Sequence, residues 1–263
     1  MKKRLDFLRK QFNFGMFLIF LVIMPSLNAG SCSSNNQIQA VLFEMDGVLV
    51  DTIALETAIF KQYLVQEFGI DATKDDERHT MGLTRREIWQ YFKATYGLSQ
   101  YVGSLYEAQR GHYRNALRKN GLKARDAALI GFLEYLKSNG IKIGVVTSNE
   151  SETTGFILSS LGIREYFDVV ITADDVKRGK PFPEPYMRAS ITLGIKPKNC
   201  LAIEDSKNGI QAAIDACMTA IAVRAPHSEK QDFGQADLII TSFDNFTCNN
   251  IERKQVEAQK DGL

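Results

Sequence analysis

The sequence predicts an α/β fold, a doubly wound parallel sheet with an inserted α-helical cap subdomain, and three features carry that prediction. The apolar run Ala40-Val41-Leu42-Phe43 breaks off in Glu44-Met45-Asp46-Gly47, as a buried strand does where it ends in an acidic turn. The stretch from Ile53 to Lys119 has helical spacing and no strand within it. From about Arg125 onward, helix-like and strand-like segments alternate, the pattern of parallel strands joined by crossover helices.

The chain begins with a segment of another kind. Lys2, Lys3, Arg4, Arg9 and Lys10 precede an apolar run from Phe14 to Leu27, then come Ala29-Gly30-Ser31, Cys32 and the polar Ser33-Ser34-Asn35-Asn36. The run is short for a membrane span and has the layout of a secretory signal. An exported protein, periplasmic or secreted, is expected, attached to a membrane only if this segment is retained as an anchor or Cys32 carries a lipid. Lipidation is the weaker option, because Ala29 stands where bacterial lipoproteins usually have a Leu-like residue. Removing residues 1–31 takes away five basic residues and one acid, so the formal net charge falls from +1 to −3. That balance offers no footprint for nucleic acid. Beyond Cys32 the cysteines are Cys200, Cys217 and Cys248, an odd set without metal-ligand spacing that permits one disulfide if the chain is exported. The expected organisation is a signal or anchor over 1–31, a tether over 32–38, a core formed by 39–52 and 125–248, a helical cap over 53–124, and a polar tail over 249–263.

Within the first strand, predicted over Ala40–Phe43, residues two apart point the same way once the chain is extended, so Glu44 and Asp46 converge, and Gly47 lets the backbone turn away. Converging carboxylates attract a hard cation such as Mg2+ and can divide nucleophilic and acid–base work. Taken alone, the stretch reads equally well as a strand with an acidic turn. Helices are predicted over Ile53–Phe68, stopping at Gly69, over Thr84–Tyr96, with Thr84 and Glu87 as a capping box, and over Tyr101–Lys119. Such a block, inserted straight after a strand end, suits a lid over the strand ends. Arg85 and Arg86 open its middle helix; by themselves they read as a solvated first turn or as a clamp for an anion.

Further on, helices are predicted over Leu129–Ser138, Glu152–Leu161, Pro185–Leu193 and Lys207–Ala216, and strands over Ile141–Thr147, Val169–Ala173, Leu201–Glu204, Ala220–Val223 and Leu238–Ile240. Right-handed crossovers bring all strand C-termini to one edge. Glu44 and Asp46, Thr147-Ser148-Asn149, and Glu204-Asp205-Ser206 should therefore meet there, beside Lys180 in the loop Gly179-Lys180-Pro181-Phe182-Pro183.

That ordered set resembles the haloacid dehalogenase superfamily of aspartate-nucleophile phosphatases, most closely its β-phosphoglucomutase-like branch with a helical cap. The resemblance runs from about Ala40 to Val223: VLFEMDGVLVDT is similar to the first motif, VVTSN to the second, GKPFPEPY to the third and IEDSKNGIQAA to the fourth. MGLTRRE is similar to the cap's substrate loop. The resemblance implies a phosphatase for a small phosphorylated metabolite, a sugar phosphate or similar, expected to be monomeric and Mg2+-dependent. Glu44 would attack phosphorus, Asp46 would serve as acid and then base, and Thr147 and Lys180 would stabilise charge. Arg85, Ser148 and Asn149 would bind substrate. Metal ligands would come from Glu44, Asp46, Glu204 and Asp205, with Asp205 the favoured one and Glu204 behind it.

This sequence departs from the pattern in three places. Glu44 replaces the family's aspartate, and a displacement of the reacting oxygen by about an ångström can cost roughly 100-fold in rate. Reduced activity, or a phosphate-binding protein without turnover, is the alternative that follows. Glu56 stands where mutases of the branch have His, which disfavours a phosphomutase, and Cys217 replaces a usual Gly in what reads as a packing position. Halide displacement is disfavoured, since it does not use Asp46 as an acid.

Overall fold

The computed structural model describes residues 38–80, 85–224, 228 and 231–244. The signal segment, the tether, Thr84 with its proposed cap, and the polar tail lie outside those residues. The described residues belong to one compact unit. Its sheet holds β1 (Ala40–Phe43), β2 (Lys142–Val146), β3 (Val169–Ile171), β4 (Cys200–Glu204), β5 (Thr219–Val223) and β6 (Leu238–Ile240). The order is β3-β2-β1-β4-β5-β6 with every pairing parallel.

β1 is buried on both faces, which explains why its sequence is continuously apolar rather than alternating. Val41 and Phe43 face one layer, with α5 (Leu129–Ser138) and α6 (Ser151–Ser160). Ala40 and Leu42 face the other, with α7 (Glu184–Leu193) and α8 (Lys207–Asp215). Phe43 meets Phe132, Phe167 and Phe243 edge-on, with centroids 6.0, 6.4 and 6.0 Å away. Truncating such a residue costs about 3–5 kcal/mol, so the strand that carries the first acids is firmly seated.

Strand order reverses at β1, which lies between β2 and β4, and α/β sheets bind ligands at such a switch point. Register completes the convergence. Phe43 is level with Val145 on one side and Ile203 on the other, so Glu44, the residues after Val146, and Glu204 emerge side by side.

Between β1 and β2 lie α1 (Ile53–Phe68), α2 (Lys74–Thr80), α3 (Arg85–Tyr96) and α4 (Val102–Lys119). They share their own apolar cluster of Phe60, Tyr63, Leu64, Ile70, Trp89, Phe92 and Leu105. Outgoing and returning chains pair at its root: Val50 bridges to Ala124, and the Arg125 N–H donates to the Leu49 carbonyl at 3.0 Å. Helix α2 is absent from the sequence prediction because Lys74-Asp75-Asp76-Glu77-Arg78 carries no apolar period. It is fixed instead by the buried Asp76 carboxylate, which accepts from the Thr73 N–H and the Tyr91 and Tyr96 hydroxyls, each at 2.7 Å.

Candidate active site

The site is built outward from the end of β1. Met45 anchors the turn through its carbonyl, which accepts from the Leu49 and Val50 N–H groups at 2.9 and 3.1 Å, and Gly47 takes φ 78°, a left-handed value that a side chain would oppose. Glu44 and Asp46 flank that anchored residue. Glu44 is 8% exposed, and its Oε1 accepts from the Thr147 hydroxyl at 3.0 Å while its Oε2 is paired with the Lys180 ammonium. Asp46 accepts from the Thr52 hydroxyl on one oxygen and from the Asn149 amide on the other.

Lys180 spans the pocket floor. Besides Glu44 it binds Glu204 Oε1 at 2.5 Å and the Val146 carbonyl at 2.8 Å, and it lies 5.2 Å from the Tyr186 ring centroid. Burial alone would lower its pKa, but the Glu204 and Glu44 carboxylates outweigh that and hold it above its usual value. The same burial pushes Glu44 up, opposed by Lys180 and reinforced by Glu204 and Asp46. Asp46 is pushed to about 7, chiefly by burial, with the Glu56 and Asp205 charges adding to it and the Thr52 and Asn149 hydrogen bonds working against it. A carboxyl group that titrates near neutrality is suited to giving and taking a proton.

Glu204, expected from the sequence among the metal ligands but behind Asp205, has its carboxylate occupied by the protein. It is fully buried, with Oε1 bound by Lys180 and by the Tyr186 hydroxyl at 2.7 Å. Its Oε2 accepts from the Asp205 N–H and the Ser206 hydroxyl, both at 3.2 Å. With both oxygens committed, Glu204 is the counter-ion of Lys180. Gly209 makes room for it: an added Cβ would fall 2.0 Å from the Glu204 carboxyl carbon. Ser206, the N-cap of α8, accepts from the Gly209 N–H at 3.0 Å and aligns the helix with that carboxylate.

Among the described residues no three Asp, Glu, His or Cys side chains already form a cage for a metal. Mg2+ does not require one, since it keeps several waters and takes one or two carboxylates plus substrate phosphate. Glu44, Asp46 and Asp205 are 8% exposed, half-buried and 5% exposed respectively, and they stand at the ends of the neighbouring strands β1 and β4. Carboxylate oxygens are the hard donors that a hydrated divalent cation takes, so these residues fit it.

Of the three expected substrate-binding residues, Ser148 is exposed in the loop after β2, whereas Asn149 is turned onto Asp46 and orients it. Arg85 is tied to Glu56, with Nη2 and Nε at 2.8 and 3.1 Å from Glu56 Oε1, and its guanidinium lies 5.2 Å from the Phe60 ring centroid. Sequence reading did not single out Tyr113, which comes from α4, is hydrogen-bonded with Thr52 and lies within reach of the Asp46, Glu56 and Arg85 charges. Its signal was a buried aromatic in a helical period, which any core position gives. Cys217 is more than a packing residue, for it holds φ 59° where glycine would be natural, and it is disulfide-bonded.

A family model described as haloacid dehalogenase-like hydrolase matches residues 41–223, which takes in every group just described. The chain belongs to the haloacid dehalogenase-like hydrolase family. Relatives within the family include the phosphorylated carbohydrates phosphatase of Thermotoga maritima, 32% identical over 182 residues that span 68% of this chain and 81% of the relative. The fructose-1-phosphate phosphatase YqaB of Escherichia coli is 30% identical over 70% of this chain and 95% of its own. Among solved structures, the β-phosphoglucomutase of Clostridium difficile superposes with a TM-score of 0.68 at 26% identity, covering 84% of this chain and 99% of that one. The haloacid dehalogenase-like core and the helical insertion are thus shared with both phosphatases and mutases.

Proposed function

We propose that this enzyme is a Mg2+-dependent phosphatase that removes phosphate from a small phosphorylated carbohydrate or similar metabolite through a glutamyl-phosphate intermediate. The observation that carries the reading is the arrangement of Glu44 between Thr147 and Lys180, with Asp46 held beside it by Thr52 and Asn149. A Glu44 oxygen forms a bond to phosphorus as the ester P–O bond breaks, and Asp46 in its neutral form gives its proton to the departing alkoxide oxygen. Asp46, now ionised, takes a proton from water, whose oxygen attacks phosphorus and releases inorganic phosphate and the Glu44 carboxylate. Lys180 and Thr147 supply the positive charge and donor that a phosphoryl group in transit needs on its equatorial oxygens. Glu44 and Asp205 would hold Mg2+, which would supply neutralisation of the phosphate charge, leaving the Asp46 carboxyl to carry the proton.

Names of relatives support the substrate class, since those of Thermotoga maritima and Escherichia coli are phosphatases of phosphorylated carbohydrates. A phosphate-binding protein without turnover is the competing reading, favoured by the extra methylene of Glu44. A mutase is disfavoured by the Glu56–Arg85 ion pair where a proton-carrying His would be needed. Export remains part of the proposal: its segment lies outside the described residues, and the disulfide at Cys217 fits an oxidising compartment. A panel of phosphorylated hexoses and hexitols, assayed for phosphate release with and without Mg2+, tests the reading. Release from at least one substrate, lost on omitting Mg2+ and in Asp46→Asn, is expected; no release from any of them, together with retained Mg2+ and phosphate binding, would leave the binding protein.

A further inference from the structure

We propose that Glu56 sets the substrate specificity of this site by holding the cap-side Arg85 in an ion pair, so that it takes phosphate monoesters whose remaining part is a neutral polyhydroxylated group and turns away those bearing a second phosphate. The inference rests on the phosphatase reading and assigns the far side of the same pocket. Its basis is the fate of Arg85. By sequence alone that residue is a candidate anion clamp, yet its guanidinium already has a partner, with Glu56 Oε1 at 2.8 and 3.1 Å from two of its nitrogens. Side-chain exposures of 21% for Arg85 and 31% for Glu56 leave the pair half-buried, with part of its surface open to solvent.

Position on α1 ties the pair to the chemistry. Glu56 lies one helical turn beyond Thr52, and its N–H donates to the Thr52 carbonyl at 2.8 Å. Residues four apart on a helix are neighbours on one face, with Cβ atoms about 5–6 Å apart. Since the Thr52 hydroxyl donates to Asp46, Glu56 stands one turn from the acid that serves the leaving oxygen. The part of the substrate beyond that oxygen must pass this carboxylate. Tyr113 stands at the same corner, its hydroxyl hydrogen-bonded with Thr52 and within reach of the Asp46, Glu56 and Arg85 charges.

The resulting wall has one carboxylate, one guanidinium tied to it, a phenol and, under the guanidinium, the Phe60 ring. A neutral polyol can donate hydroxyl hydrogen bonds to the Glu56 carboxylate without breaking the ion pair, which uses Oε1. A second phosphate brings negative charge against that carboxylate and must separate Arg85 from it first. Like charges brought together across a binding surface weaken binding by about 10- to 100-fold or more.

Steady-state KM and calorimetric binding are measured for glucitol 6-phosphate and fructose 1,6-bisphosphate in the wild type, Glu56→Gln and Arg85→Ala. The wild type is expected to favour the monophosphate by at least about tenfold, Glu56→Gln to bring the ratio toward one by releasing Arg85, and Arg85→Ala to widen it. A ratio unchanged in Glu56→Gln, or a wild type that favours the bisphosphate, would overturn the proposal. If neither compound is hydrolysed but the binding ratio shifts as described, the specificity assignment stands and the phosphatase reading falls; hydrolysis with a flat ratio gives the reverse.

Discussion

Glu204 shows how much of the candidate site is settled by single atoms. Its carboxylate fills the space where Gly209 has no side chain, and Lys180, Tyr186, Ser206 and a backbone N–H use its lone pairs. Gly209→Ala must displace a clamped carboxylate or the helix itself; it is expected to lower stability by about 2 kcal/mol or more and to reduce activity, measured by urea denaturation and phosphate release. Asp46 gives a pH prediction. Its folded pKa, raised from 3.8 to about 7, means that the cation-free folded state holds a proton that the unfolded chain has lost. Stability of that state should therefore be greatest below pH 4 as far as this group is concerned, and should fall as pH rises from about 4 to 7. Asp46→Asn should flatten that slope in melting temperatures recorded with EDTA, and a slope that survives the substitution would assign it to other groups. The meeting of the candidate residues was legible, because Glu44, Asp46, Thr147 and Asp205 stand at strand ends that a parallel sheet must bring together and Lys180 reaches them from the loop before α7. Their supports were less so: Tyr113, Glu56 and Gly209 act through distances in space that no spacing in the sequence encodes.

The elements were easier to read where burial dictated them. Continuous apolar strands and periodic helices appear close to their predicted bounds, whereas α2 is held by one buried carboxylate and was missed. Helix α4 has a second task that its periodicity does not announce. Arg110 pairs with Glu150, Arg114 lies 3.4 Å from Glu150, and Arg118 lies 3.1 Å from Glu152, so three successive turns of α4 are bound to the start of α6. Only the Arg110 side chain is buried, at 7% exposure, which makes it the member whose loss matters; the outer pairs contribute little in water. Glu150→Ala leaves that guanidinium buried beside Tyr106 without its carboxylate and should destabilise the protein by about 3 kcal/mol. Arg118→Ala should change stability by no more than about 1 kcal/mol. Equal losses from the two substitutions, read in chemical denaturation, would show that burial does not govern this clasp.

At the scale of the molecule, the sheet order reverses at β1, the cap helices leave from its end, and the chain returns beside its own exit at Val50 and Ala124. Everything the proposed chemistry needs is thereby gathered at one strand end, and the departure from the family at Glu44 falls at the centre of it. If Glu44 is the attacking group, its extra methylene is the main restraint on rate, and the rest of the site is ready for a shorter side chain. The direct measurement is p-nitrophenyl phosphate turnover with Mg2+ in the wild type, Glu44→Gln and Glu44→Asp. Glu44→Gln keeps the volume and removes the nucleophilic charge, so its turnover should disappear, while Glu44→Asp should exceed the wild type, by up to roughly 100-fold if reach alone is limiting. Wild-type turnover retained in Glu44→Gln would contradict the account, because the phosphoryl group would then be passing through some other atom.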